Sequence, residues 1–193
     1  MTGFSLTQLG KRLWWDILDP IERKYLVYYL ISGIPGLFGD MSRGRFVSRR
    51  AQKCGKNLRV LAGTRFRSME NLTIGDGVSI GYDNFIQAFG GVVIGNDVMT
   101  APGVKIWSVN HNINDRNTII QKQGQTKAPV VIGNDVWIAS NAFILPGVTL
   151  PEGVVVTAGA IVGVKPYKPY AIVSGNPARI IGYRGRQVAK SKK

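Results

Sequence analysis

Residues 130–163 read VVIGNDVWIASNAFILPGVTLPEGVVVTAGAIVG. Within them Ile132, Ile138, Ile144, Leu150, Val156 and Val162 fall six positions apart. Four positions after such a residue stands a small or β-branched one: Val136, Ala142, Val148, Val154, Ala160. A period of six is neither the 3.6 of an amphipathic helix nor the alternation of a two-sided strand. Short fixed repeats build solenoids, and a hexad repeat points to a parallel β-helix. Two inward side chains per hexad let short flat strands stack coil upon coil, with three hexads to one triangular turn.

Towards the N-terminus the same series runs Ile74, Ile80, Ile86, then Ile94, Thr100, Ile106, with a two-residue insertion at Val92-Val93 resetting the phase. Of these 12 hexad starts only Thr100 is not Ile, Leu or Val. A weaker phase through Val60, Phe66 and Leu72 brings the expectation to about five coils. Gly75-Asp76, Gly95-Asn96 and Gly133-Asn134 supply residue types that tolerate tight corners. The fold class expected is mainly β, a parallel β-helix of hexapeptide repeats over 56–183. A helical, basic segment precedes it over 1–55, and a basic tail follows over 184–193.

The repeat breaks once at length, over 112–131. A loop this long in a compact domain is usually functional or disordered. It opens at Asn110-His111, and His111 is the only histidine in the chain. An imidazole, with an ordinary pKa near ~6.5, is suited to taking a proton at neutral pH.

The net charge of +14 is unevenly spread. Residues 1–67 hold 13 basic and 4 acidic side chains, residues 68–163 hold 4 and 7, and residues 164–193 hold 8 and none. Basic ends flanking a neutral middle suit anionic ligands or lipid headgroups rather than nucleic acid, which wants a basic reading element with base-contacting residues. The single cysteine, Cys54, excludes an intrachain disulfide and reads as structural. No secretory leader is apparent. The apolar run from Tyr25 to Phe38 falls short of the ~20 residues that span a bilayer. A cytoplasmic location is expected, peripheral at the inner membrane face.

The motif Asn110-His111, the loop, and Pro129-Val130-Val131-Ile132-Gly133-Asn134-Asp135-Val136-Trp137-Ile138-Ala139-Ser140 resemble the hexapeptide-repeat acyltransferases. Ile144-Leu145-Pro146-Gly147-Val148 and Ser174-Gly175-Asn176-Pro177-Ala178-Arg179 extend the resemblance. It points to the branch of maltose and galactoside O-acetyltransferases and of the capsule and exopolysaccharide enzymes. The resemblance implies a left-handed helix and a homotrimer with acetyl-CoA in the groove between subunits. It implies direct transfer of acetyl to a sugar or lipid-linked glycan, with no metal required. His111 then falls on the general base, and the backbone N–H of Ser140 on the oxyanion donor. Gln87, Asn84 and Trp137 fall beside the acceptor. Ala139, Ala158 and Gly159 fall along the pantetheine arm, and Lys165, Lys168 and Arg179 near the phosphates. Some relatives orient the histidine with a loop carboxylate. Here only Asp115 is available, so a backbone carbonyl is expected instead. Lys190, Lys192 and Lys193 read as a solvated tail.

At the N-terminus Ser5 and Gln8 form a capping-box pattern before Leu6, Leu9, Leu13 and Ile17. Asp19-Pro20 opens a second helix, and Ile34-Pro35-Gly36 ends it. A third segment carries Arg43, Arg45, Arg49, Arg50 and Lys53. With Trp14, Trp15 and the tyrosines these arginines suit a helix lying on anionic lipid. A helical cap over the open end of the solenoid is the competing expectation. Two other functions stay open at this point: an amino-sugar N-acetyltransferase on the same fold, and a non-catalytic scaffold or polyanion-binding solenoid. A carbonic anhydrase needs several histidines on one metal, which one histidine per chain does not supply.

Overall fold

The computed structural model describes residues 5–185. The tail residues Lys190, Lys192 and Lys193 lie outside them. Three helices lead into a parallel solenoid with three flat faces. The first face stacks Lys53–Cys54, Leu72–Ile74, Val92–Ile94, Val130–Ile132 and Thr149–Leu150. The second stacks Arg59–Val60, Ser79–Ile80, Met99–Thr100, Trp137–Ile138, Val155–Val156 and Ala171–Gly175. The third stacks Arg65–Arg67, Phe85–Gln87, Lys105–Trp107, Phe143–Ile144 and Ile161–Val162. The second face therefore carries a sixth rung beyond the five expected coils. A strand Ala178–Tyr183 folds back antiparallel on its last rung.

All 12 hexad starts are buried, and so are Val60, Phe66 and Leu72. Their side chains form one continuous apolar column along the axis. The phase reset has a different cause from the one expected. Val92 and Val93 are strand residues in register with Leu72 and Thr73. The extra length sits in the corner after Gln87, where the Gly91 N–H donates to the Ala88 carbonyl at 2.8 Å. Ala88 and, one coil earlier, Met69 fill the wider corner from inside. The early coils accordingly repeat at the Cys54–Ile74–Ile94 spacing, and the late ones at the tighter Ile132–Leu150 spacing.

The Gly-Asp/Asn motif builds an external ladder. The Lys56 N–H donates to Asp76 Oδ1 at 2.6 Å, the Asp76 N–H to Asn96 Oδ1 at 2.8 Å, and the Asn96 N–H to Asn134 Oδ1 at 2.8 Å. A Cβ on Gly75 would lie 2.4 Å from Asn96 Oδ1 and 2.6 Å from backbone, so only glycine lets the coils close.

Helix α1 spans Leu6–Leu18, with the capping box in place: Ser5 Oγ accepts from the Gln8 N–H and Gln8 Oε1 from the Ser5 N–H. Helix α2 spans Pro20–Ser32, with Asp19 Oδ1 accepting from the Glu22 N–H. Helix α3 spans Gly36–Ser48 and packs on the first rung of the second face. Arg43 on α3 is the exception to the basic surface read from the sequence. It is 0% exposed, donates to the carbonyls of Val60, Ile31 and Ile34, and pairs with Asp40 at 2.8 Å. It pins the helical cap to the first coil. Tyr28 of α2 closes that end against Phe46 and Phe66. Helix α1 buries none of its residues.

Candidate active site

The interruption of the repeat is an ordered ribbon. Val109–His111 pairs antiparallel with Gln125–Lys127, matching Val109 with Lys127, Asn110 with Thr126 and His111 with Gln125. The ribbon leaves the corner between the third and first faces. Its foot is fixed there by Ser108, whose hydroxyl accepts from the Gly90 N–H at 2.9 Å, and by the Ala128 N–H donating to the Ser108 carbonyl. The Lys127 ammonium sits 4.0 Å above the Phe89 ring on the same corner.

The loop beyond the ribbon is tied by side-chain amides. Asn112 donates to the Gln123 carbonyl and accepts from Thr126 Oγ1 at 2.5 Å, and Gln123 donates to the carbonyls of Asp115 and Thr118. Asp115 does not reach the histidine. Its carboxylate accepts from the Asn117 N–H and from Thr118 Oγ1, and the hydroxyl bond foremost holds its carboxyl below the usual range. The neighbour of His111 is the Gln125 side-chain amide, 3.3 Å from Nε2. Where a backbone carbonyl was expected, a cross-strand amide stands.

His111 is exposed at the tip of this ribbon. Gln87 lies on the third face, in register between Arg67 and Trp107, with its Oε1 accepting from the Phe89 N–H. Both therefore belong to the edge shared by the third and first faces.

The other expected residues gather elsewhere. Trp137 projects from the second face, in register with Met99 and Val155. Ser140, Ala158 and Gly159 follow at the corner between the second and third faces, where the Gly159 N–H donates to the Ser140 carbonyl. The Ala139 and Asn141 N–H groups are spent on Val156 and Pro102, whereas the Ser140 N–H has no carbonyl partner among the described residues. Around Gly159, which takes a positive φ of 69°, a side chain would meet nothing within 4 Å. This corner combines an available N–H donor with open space.

Some expectations need correction. Asn84 is fully buried as an inward coil residue, its amide N–H donating to the Tyr82 and Ala101 carbonyls at 2.9 Å while its Oδ1 has no partner among the described residues. Ala139 is buried with both backbone groups bonded inside the coil, and it offers wall rather than free donors. Lys165 is exposed, with its ammonium donating to the Ala178 carbonyl. Lys168 and Arg179 are exposed at the far end of the solenoid. Among the described residues no cluster of three or more His, Cys, Asp or Glu is placed to hold a metal ion. The residues missed from sequence are Asn112, Gln123, Gln125 and Thr126. Their one signal was a concentration of amides within the interruption.

No protein-family model matches the chain. Among curated proteins it is 34% identical over 128 residues to the galactoside O-acetyltransferase of Escherichia coli K12, a match covering 66% of this chain and 54% of that one. The chain spans about half the length, or less, of the first curated relatives it matches. Among solved structures it resembles a maltose O-acetyltransferase from Clostridium difficile 630, with a TM-score of 0.73 and 26% identity over 86% of this chain and 90% of that one. A galactoside acetyltransferase in complex with coenzyme A gives a TM-score of 0.71 and 26% identity over 86% and 82%. The class that fold and relatives define is the left-handed β-helix of hexapeptide repeats. The curated relatives and the solved structures it resembles are acetyltransferases, among them hexapeptide-repeat ones.

Proposed function

We propose that the chain transfers acetyl from acetyl-CoA to a sugar hydroxyl, acting in surface polysaccharide assembly. The observation that carries this reading is the ordered ribbon that lifts the lone histidine, His111, off the coil, flanked by Gln125. The relatives named above act on galactosides and maltose, and one of the structures holds coenzyme A.

The residues fit that chemistry. Acetyl-CoA supplies an activated acyl carbon and a thiolate leaving group. His111 takes the proton of the acceptor hydroxyl as that oxygen bonds to the acetyl carbon, and returns it to the sulfur as the C–S bond breaks. The Ser140 N–H steadies the carbonyl oxygen as it gains charge, a contribution of about 10²–10³ in rate for one such donor. The open corner at Ala158 and Gly159 accepts the pantetheine arm, with Trp137 as its wall. Lys168 and Arg179 offer positive charge to the phosphates.

His111 and Ser140 stand at different corners of one chain. We therefore assign the working site to two copies within a homotrimer, with the ribbon of one meeting the corner of the next. The membrane contact belongs to α1. Leu6 is 87% and Trp15 70% exposed, and Leu9, Leu13 and Trp14 are exposed beside Lys11. No helix among the described residues is long and apolar enough to cross a membrane. The exposed apolar stripe of α1 beside basic residues supports its lying on an anionic surface at the inner face.

The deciding experiment is His111→Ala. Thiol release from acetyl-CoA in the presence of a glycan acceptor should fall by about 10²–10⁴, with the oligomer unchanged on a sizing column. A variant with full activity would overturn the assignment.

A further inference from the structure

A cavity of about 320 Å³ opens between α2 and the third face of the solenoid. Tyr25, Tyr29 and Phe85 give it aromatic walls, and Arg65, Arg67 and Glu22 give it charge. Two features make it a built site. Tyr25 is held in place by its hydroxyl, which accepts from the Ser68 N–H at 2.8 Å. Arg65 is held with its guanidinium 5.2 Å from the centre of the Phe85 ring.

The arginines are short of anionic partners. Neither Arg65 nor Arg67 makes an ion pair among the described residues, although Glu22 lines the same cavity. Glu22 is engaged at its backbone, its N–H donating to Asp19 Oδ1 at 3.0 Å. By contrast Lys24 on the same helix has its carboxylate, Glu70, at 2.8 Å. Two adjacent unpaired guanidiniums repel one another and bind anions with forked, charge-assisted hydrogen bonds.

The cavity lies on the same face of the solenoid as Gln87 and Trp107. Arg65 is in register with Phe85, and Arg67 with Gln87, which is in register with Trp107. From Trp107 the chain turns through Ser108 into the ribbon that carries His111. Two steps between stacked strands separate Arg67 from Trp107, about 10 Å at the usual spacing. His111 lies further out along the ribbon, so an acceptor with its hydroxyl at His111 and a charged group at the arginines is one of more than a single sugar unit.

We infer that Arg65 and Arg67, with the Tyr25, Tyr29 and Phe85 walls, form an acceptor subsite for an anionic sugar, one bearing a carboxylate or a phosphate. Aromatic faces take the C–H face of the sugar, and the guanidiniums take its charge. This rests on the sugar acetyltransferase reading for its link to chemistry, but the subsite itself is testable by binding alone.

The test is ligand-observed NMR titration of the full chain with glucose, glucuronate and glucose 1-phosphate. It is run on the wild type, the Arg65→Gln/Arg67→Gln double variant, Glu22→Gln and His111→Ala. The wild type should bind one or both anionic sugars at least about tenfold more tightly than glucose, and added salt should weaken that preference. The double variant should lose the preference. Glu22→Gln should keep or increase it, and His111→Ala should leave it as in the wild type. The tighter of the two anions identifies the natural group. Equal binding of glucose by the wild type, or a preference that survives loss of both arginines, overturns the subsite. Thiol release is measured in parallel. An intact preference with no turnover of any acceptor removes the transfer reading and leaves the subsite standing.

Discussion

Thr100 is the one hexad start that is not aliphatic, and its hydroxyl explains why. Oγ1 accepts from the Gly81 N–H at 3.0 Å, while Thr64 Oγ1 on the preceding coil donates to the Gly81 carbonyl at 2.7 Å. The Gly81 peptide is buried between them and satisfied only by these two side chains and the coil. Thr100→Val fits the repeat better by pattern yet strands a buried N–H. It is expected to lower unfolding free energy by about 1–3 kcal/mol, read from urea denaturation; a variant as stable as the wild type would refute the role. A second residue-scale prediction concerns Gln125. A carboxylate in its place favours the imidazolium form of the facing ring. Gln125→Glu should therefore move the acid limb of the pH–rate profile to higher pH, with little change in acceptor KM. An unmoved profile would show that the amide has no hold on the ring.

At the scale of elements, the solenoid was legible because each hexad reports its own burial. An inward Ile is inward wherever the coil goes, and all 12 starts are buried. The wide early corners were misplaced because Leu72 and Ile74 are both buried, two apart on one strand, and so are Val92 and Ile94. A six-residue reading cannot say which member of such a pair carries the phase. His111 stood out as the only imidazole at the only long interruption. Gln125 did not, because antiparallel pairing across the excursion brings together residues 14 apart, and no local pattern encodes that register. Arg43 was misread as surface charge for a similar reason: the carbonyls that surround it come from α2, the turn after it and the first coil. Helix α1 is the converse case, since its stripe of Leu6, Leu9, Leu13 and Ile17 was read correctly as amphipathic and stays exposed among the described residues. With the basic excess of the N-terminal third, an anionic bilayer is the occupant it fits. The full chain should float with vesicles of phosphatidylcholine and phosphatidylglycerol, and less with phosphatidylcholine alone or at high salt. Leu9→Glu/Leu13→Glu should stay behind. If the double variant instead changes oligomeric state and the wild type ignores both vesicles, α1 is a contact between copies.

At the scale of the whole molecule, the triangular section decides how many chains a site needs. Within one chain the ribbon bearing His111 leaves from the corner of the third and first faces, and the Ser140 N–H with its open Gly159 neighbour belongs to the corner of the second and third. A face of the solenoid separates them. A trimer with cyclic symmetry can set one corner against the other, three times over. This arrangement can be tested by mixing two dead proteins. His111→Ala destroys the base and spares the open corner. Ala158→Trp, at an exposed position on that corner, blocks the groove and spares the base. Each is expected to be inactive alone. Co-expressed at equal levels and assembled at random, a shared site is intact wherever a blocked copy lends its His111 to a copy with an open corner. That combination occurs at about a quarter of the interfaces. Thiol release should then return to about that fraction of the wild-type rate. Sites confined to single chains predict no recovery, because every chain in the mixture carries one of the two lesions.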